Sequence, residues 1–453
     1  MKHCVISVDL GASGTKVFLS EMENGKIEIK ELDRFESFAY SRGSLSYWDI
    51  DRLFQRIMKT LDAVKKTHPI SSIGFDGWGV DFVPLDEKDR KLSDPLQYFA
   101  MFKASEKIET EMEKNRQFIN KTVTTQHQPF NTVYQLMFLK KQNPGFFSTI
   151  KKIVSLPSYL AGKITGRFVY EFTHATTTQI YDYLNNSWSD EIIGKLGFGN
   201  IFPEVEPAGT IIGEYDQTKV ILPATHDTAS AYASITSDPF TTLNISLGTW
   251  CLNGIILKDK AIHPEEIIKH NYAVEGCYNG DLRILANTPG LILWQKAKTE
   301  IENVYSRVIP YQELEEMARS RSNFSHAMNV DNQKYFTTKH LLENIYDEVK
   351  IKDPGMALTF ILNGIAERIK KTKDDMERIY SREIKNIHII GGGVKNKYLC
   401  QKISEKVNLP VKTNPQEGTA VGNTVVQLLG NGLMKSEQEM KMIIDHSTKY
   451  VIY

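Results

Sequence analysis

Two short stretches of this chain share one grammar. "ISVDLGASGTKVFL", Ile6 to Leu19, and "LNISLGTWCLNGI", Leu243 to Ile255, each run an apolar extended segment into Leu-Gly, a small or hydroxyl residue, and a second extended segment. They open the first and second halves of the chain, which predicts two related domains, each with a glycine turn after its first strand. Length agrees, because 453 residues exceed what one hydrophobic core usually organises. No Pro/Gly/Ser-rich linker marks the border, so the motifs place it, giving domains 1–235 and 236–453. Two such domains commonly hold a ligand between them.

β-Branched runs such as "CVISVDL", "SSIGFDGWG", "TTLNISLG" and "IKNIHIIGGG" alternate with amphipathic segments, which makes the fold class α/β. In "QPFNTVYQLMFLKK" the residues Phe130, Val133, Tyr134, Met137 and Phe138 keep helical spacing. In "DPGMALTFILNGIAERIKK" Asp353 is placed to cap a helix with Pro354 at its first position. Lysine plus arginine balances aspartate plus glutamate, 55 against 55, which removes the electrostatic footprint of a nucleic-acid or anionic-membrane binder. A small-molecule partner is expected instead. The first residues run straight into a strand with no apolar signal core, and the four cysteines are widely spaced with no CxxC pair, so a cytoplasmic protein with reduced thiols is expected.

Chemistry concentrates at the turns. A glycine turn lets converging backbone N–H groups approach phosphate oxygens, and in "SVDLGASGTK" Ser13, Thr15 and Lys16 add donors and charge. Asp9 repels phosphate by itself but suits a magnesium ion held through water. A plain hairpin with a solvated aspartate fits the same letters. "GTW" at Gly248 to Trp250 offers a second phosphate clamp, and "HIIGGGVKN" places three glycines where a strand meets a helix. In "PATHDTASAYASI" Asp227 stands at the start of a small-residue helix, whose N-terminus keeps it ionised. It can orient an attacking hydroxyl and accept its proton, or simply cap the helix. In "DGWGVDFVPLD" Gly79 would let a ligand approach, Trp78 would stack on a sugar and Asp81 would bond its hydroxyls; a core Trp78 and a surface Asp81 read equally well.

Taken in order, "VDLGAS", "GWGVDFV", "QPFNTVYQL", "YEFTHATTTQIYD", "HDTASA", "SLGTW", "NTPGLILWQ", "IIGGGVKN" and "EGTAVGN" resemble the FGGY carbohydrate kinases, and within them the rhamnulokinases, over about residues 4 to 427. The resemblance implies a two-domain fold of the actin, hexokinase and heat-shock-ATPase type, built from duplicated ribonuclease H-like domains around an interdomain cleft. It implies transfer of the γ-phosphoryl of ATP, with Mg2+, to a primary hydroxyl of a ketose such as L-rhamnulose; a monomer or homodimer is expected, the sequence leaving the choice open. Motif by motif, Asp227 corresponds to the catalytic base. Gly79, His226, Thr228 and Asn287 correspond to sugar contacts. Ala12, Ser13, Gly14, Thr15, Lys16, Thr249, Gln295 and Gly392 correspond to the nucleotide site, and Asp9 to the magnesium partner. Asn287 and Gln295 are expected on one helix face. The first domain would then carry phosphate turn, sugar site and base, the second the nucleotide site.

One segment departs from the family. Where an aromatic-Arg-Asp-x-Arg stretch is usual, this chain reads "QYFAMFKASEK", Gln97 to Lys107, so Phe99, Met101 and Phe102 would offer apolar contact to a 6-deoxy sugar. Lys16 also stands where arginine is usual, a point charge in place of a planar fork. Another ketose or a polyol such as L-fuculose, or a non-catalytic sugar- or nucleotide-binding protein, remains an alternative. The glycine turn carries its own test. Gly14→Val should weaken ATP binding while calorimetric sugar binding stays nearly unchanged; equal losses for both ligands would make the turn merely structural.

Overall fold

The computed structural model describes residues 2–11, 14–258, 260–414 and 417–453; the expectations for Ala12 and Ser13 lie outside them. The chain forms two units. The first comprises 1–236 together with 258–283 and 418–448, and the second comprises 237–257, 284–417 and 449–453. The expected border near 236 is thus one of several points at which the chain passes between units.

The first unit is built on a sheet of β1 (His3–Gly11), β2 (Gly14–Glu23), β3 (Lys26–Phe35), β4 (Ile70–Gly77), β5 (Ile211–Tyr215) and β6 (Thr218–Ile221) in the order β5-β6-β4-β1-β2-β3. β1 and β2 pair antiparallel with Gly11 opposite Gly14, whereas β1 and β4 are parallel. A parallel pair needs a crossover, and the Ile50–Lys65 helix lies on that connection. Its apolar residues Ile50, Leu53, Ile57, Leu61 and Val64 recur every three or four positions and are buried, while Asp49 accepts from the Arg52 N–H at 3.1 Å to cap it. The expected helix after "QPFN" runs Thr132–Gln142, but Thr132 to Phe138 are all buried, so it is enclosed rather than one-faced.

The Gly418–Gly430 helix completes this unit. Val421, Val425 and Leu428 join Val5 and Ile27 in one apolar cluster. Its polar residues face the sheet: Thr424 shares hydrogen bonds with Ser7 and Ser20 (3.0 and 2.7 Å), and Gln427 accepts from Ser72 (2.7 Å) and donates to the Ile6 carbonyl (3.0 Å).

The second unit contains β7 (Thr242–Leu247), β8 (Trp250–Leu257), β9 (Leu282–Pro289, from Ile284 onward), β10 (Asn386–Ile390), β11 (Val411–Thr413) and β12 (Val451–Ile452), in the order β9-β8-β7-β10-β11-β12. β7 pairs antiparallel with β8 and parallel with β10; β10 pairs parallel with β11, and β11 antiparallel with β12. The first unit repeats this pattern, since β1 pairs antiparallel with β2 and parallel with β4, β4 parallel with β6, and β6 antiparallel with β5. The duplication heard in two short stretches of sequence therefore extends through both sheets. Asp353 caps the Pro354–Tyr380 helix as expected, accepting from the Met356 N–H at 2.8 Å. All four cysteines are free and buried.

At Gly422 the Gly418–Gly430 helix comes so close to the Asp227–Ala233 helix that a β-carbon would overlap the Ser230 carbonyl oxygen. Gly422→Ala should therefore lower unfolding stability by about 2–3 kcal/mol, read as a fall of several degrees in Tm. An unchanged Tm would contradict this packing.

Candidate active site

β1 and β4 both end in aspartate followed closely by glycine, and their parallel register sets Asp9 beside Asp76. Lys16 lies opposite Asp9 across the β1–β2 pair, with its Nζ 3.8 Å from the carboxylate. Asp76 is fully buried; one oxygen accepts from the Asn423 amide and the other has no hydrogen-bond partner. Burial, and after it the charge of Asp9, pushes the Asp76 carboxyl well above the usual range, with Asn423 pulling the other way and Asp227 adding a further push. Sequence reasoning gave Asp76 no role, although "FDG" echoes the "VDLG" strand end.

Asp227 reaches this neighbourhood because the chain just before it continues the sheet. Gly77 donates to the Thr225 carbonyl at 2.9 Å and bridges to His226. His226 caps the Asp227–Ala233 helix, so Asp227 occupies its first position rather than the cap. The Asp227 carboxylate accepts from the backbone N–H and the hydroxyl of Thr228 (3.1 Å for the latter) and lies 3.5 Å from His226 Nε2. A buried acceptor fixes this junction. Glu171 takes hydrogen bonds from the Thr173 hydroxyl and from the N–H and hydroxyl of Thr225, and Thr173 Oγ1 in turn accepts from His226 N–H. Gly79 also belongs to the group, since a β-carbon there would come within 3.3 Å of His226 Nε2 and 3.2 Å of Thr177 Oγ1. Thr15 is fully buried, with its hydroxyl sharing a hydrogen bond with Ser37.

The residue after Gly79 is strained. Val80 has φ +70°, a left-handed conformation costly for a β-branched side chain. It is held by its N–H on Thr177 Oγ1 (3.2 Å) and by its carbonyl, which accepts from Thr132 Oγ1 (2.6 Å). Of its two readings Trp78 takes the core one, whereas Asp81 matches neither of its own, being placed to meet neither a sugar nor solvent. Trp78 is buried against Trp48, ring centroids 4.4 Å apart. Asp81 is fully buried and accepts from the indole N–H of Trp48 and Trp78, the Gln135 amide and the Tyr98 N–H. Two indoles and an amide thus converge on Asp81 as their common acceptor.

In the second unit, the turn after β7 and the glycine run after β10 come together because those strands are parallel neighbours, Ser246 opposite Ile390. Gly391, at φ +91°, brings the backbone against Leu247. β-Carbons built on Gly248 and Gly392 would meet only open space. The Thr249 carbonyl accepts from the Gly290 N–H (3.0 Å), so Thr249 sits at the start of the Leu291–Tyr305 helix that carries an exposed Gln295. Asn287 and Gln295 do not share a helix face as expected: Asn287 is on β9, and Pro289-Gly290 ends that strand before the helix begins.

The sequence matches the FGGY family of carbohydrate kinases twice, its N-terminal domain over residues 4–222 and its C-terminal domain over residues 243–430. The chain belongs to that family. Among its relatives, a rhamnulokinase of Oceanobacillus iheyensis is 30% identical, covering 100% of this chain and 98% of the relative, and one of Halalkalibacterium halodurans is 31% identical, covering 97% and 96%. The fold is shared with a xylulose kinase of Lactobacillus acidophilus (TM-score 0.79, 18% identity, covering 100% of this chain and 93% of that one) and with Plasmodium falciparum glycerol kinase with ADP (TM-score 0.76, 15% identity, covering 99% and 93%).

In this FGGY kinase the divergent segment forms the Tyr98–Ala104 helix, whose first N–H rests on Asp81. Met101 is fully buried, contrary to the expectation that it lines a sugar pocket; Phe99 and Phe102 are half-buried, and Phe102 stands edge-on to Phe130 at 5.2 Å. A magnesium ion fits the acidic end of the sheet on donor chemistry, because Asp76 has a buried oxygen without a partner beside Asp9. Among the described residues no set of three or more candidate side chains could hold a metal unaided, so phosphate oxygens and water would complete its shell. None of the helices described is long and apolar enough to cross a membrane.

Burial raises the Asp81 carboxyl to about 7, with the hydrogen bonds from Trp48, Gln135 and Trp78 opposing it. The folded state therefore holds a proton that the unfolded chain releases near pH 4, and this contribution to stability is lost as pH rises towards 7. Between pH 5 and 8 the wild type should lose on the order of 2–3 kcal/mol relative to Asp81→Asn in urea unfolding. Parallel pH curves for the two proteins would contradict it.

Proposed function

We propose that this FGGY kinase transfers the γ-phosphoryl of ATP to the C1 hydroxyl of L-rhamnulose, giving L-rhamnulose 1-phosphate. The observation that carries the choice of sugar is the end-to-end match to proteins named rhamnulokinase at about 30% identity. A 6-deoxyketose has one primary hydroxyl, so its product is fixed by chemistry. Asp227, held at the helix start by its hydrogen bonds from Thr228, orients that hydroxyl and takes its proton as attack proceeds. Gly79, His226, Thr228 and Asn287 contact the sugar. Gly14, Thr15 and Lys16, at the start of β2, receive phosphate. Thr249, Gln295 and Gly392 hold the rest of the nucleotide, Gly392 with the open space that a flat base needs. Asp9, with Asp76, would hold Mg2+, which when bound neutralises charge on the transferring phosphoryl group. The protein is expected to work in the cytoplasm as a monomer or homodimer.

Asp227→Asn should retain ATP and sugar binding while turnover falls by on the order of 10² to 10⁴. Turnover within threefold of the parent would remove Asp227 from the base role. An ADP-release panel tests the sugar. L-Rhamnulose should give the highest kcat/KM, and its 6-hydroxylated counterpart a value lower by ~10²-fold or less, because apolar surface rejects an added hydroxyl weakly. Phe99→Ser should narrow that preference. A tenfold better result with L-fuculose, D-xylulose or glycerol would overturn the sugar while leaving the kinase intact.

A further inference from the structure

Glu275, on the Ala273–Gly276 strand, and Arg283, just after the turn that follows it, form an ion pair inside the first unit. Arg283 is fully buried and Glu275 is 7% exposed. The guanidinium also lies 5.4 Å from the centroid of the Tyr232 ring. Burial would raise the Glu275 carboxyl, yet the guanidinium of Arg283 beside it holds it well below the usual carboxylate range. A pair this deep contributes little net stability, because the cost of removing both charges from water offsets their attraction. Its effect is on geometry, and the group it acts on is His226.

Arg283 Nη2 lies 2.8 Å from His226 Nδ1, and Glu275 Oε2 lies 3.3 Å from the same nitrogen. A guanidinium only donates, so the closer contact requires Nδ1 to offer its lone pair. In the neutral ring the proton then sits on Nε2. That nitrogen faces the Asp227 carboxylate at 3.5 Å and the space left by the missing side chain of Gly79. Without Arg283, the tautomer with the proton on Nδ1 would be favoured, donating a hydrogen bond to Glu275 Oε2. Nε2 would become an acceptor facing another acceptor, and a sugar oxygen there would lose its donor.

We propose that Glu275 and Arg283 are positioning residues that fix His226 as an Nε2–H donor to a sugar oxygen beside the hydroxyl received by Asp227. This rests on the functional reading above. Arg283 sets the tautomer and Glu275 compensates the charge of Arg283, so the two work as one device.

The test is 15N NMR of histidine-labelled, ligand-free protein, combined with steady-state kinetics for L-rhamnulose and ATP. The wild type should show His226 with a pyrrole-type Nε2 and an imine-type Nδ1. Arg283→Met should reverse that assignment and raise the sugar KM tenfold or more, with the ATP KM within twofold. Arg283→Lys, which still only donates, should restore the wild-type tautomer and most of the sugar affinity. A wild-type His226 protonated on Nδ1 overturns the proposal even if the variants fail to fold. So does a folded Arg283→Met with an unchanged sugar KM. The tautomer is read without substrate, so failure of this proposal and failure of the functional reading show separately.

Discussion

Two carboxylates side by side at the ends of neighbouring parallel strands are the constraint on which the rest of the first unit depends. Asp9 and Asp76 would repel if both were charged, and Asp76 is fully buried as well. Lys16 beside Asp9 and the Asn423 amide on Asp76 make the arrangement tenable. Asn423 is 347 positions away in the chain, so the last part of the sequence must return to the first sheet before this end of it is complete. The close approach at Gly422 and the Thr424 and Gln427 hydrogen bonds serve that return.

Around this acidic end the unit is organised by buried polar groups whose demands are met. Asp81 gathers two indoles, an amide and a backbone N–H, and this anchors both the strained Val80 and the first turn of the Tyr98–Ala104 helix. Glu171 does the same for the segment that leads into His226 and Asp227. Unsatisfied, either carboxylate would cost more than its neighbours return; satisfied, each leaves one arrangement of the chain around it. His226 and Asp227 are thereby held by buried hydrogen bonds in the segment that leads into them.

What could be read from sequence was what local physics writes into it. Glycine turns after β-branched runs located the strand ends, and Asp353-Pro354 located a helix start, because turn and cap chemistry is local. The duplicated sheet pattern was signalled by only two matching stretches. Residues whose meaning comes from distant partners stayed hidden: Asp76 needs Asp9 in register, Asn423 needs β4, and Glu275 with Arg283 needs His226. Asp81 is illegible for the same reason, since a carboxylate in a Gly-rich stretch reads as a ligand contact or a surface residue until Trp48 and Gln135 arrive from elsewhere. Pro289-Gly290 is a break written locally in the sequence, and it separates Asn287 from Gln295 despite their helical spacing.

The most direct measurement is 31P NMR of the product formed from ATP, magnesium and L-rhamnulose. A phosphomonoester at C1 couples to the two methylene protons, so the expected result is a triplet growing in step with ADP. A doublet would place the phosphate on a secondary carbon, and inorganic phosphate alone would mean that water, rather than the sugar hydroxyl, is the acceptor at Asp227. Either would contradict transfer to the primary hydroxyl of a ketose.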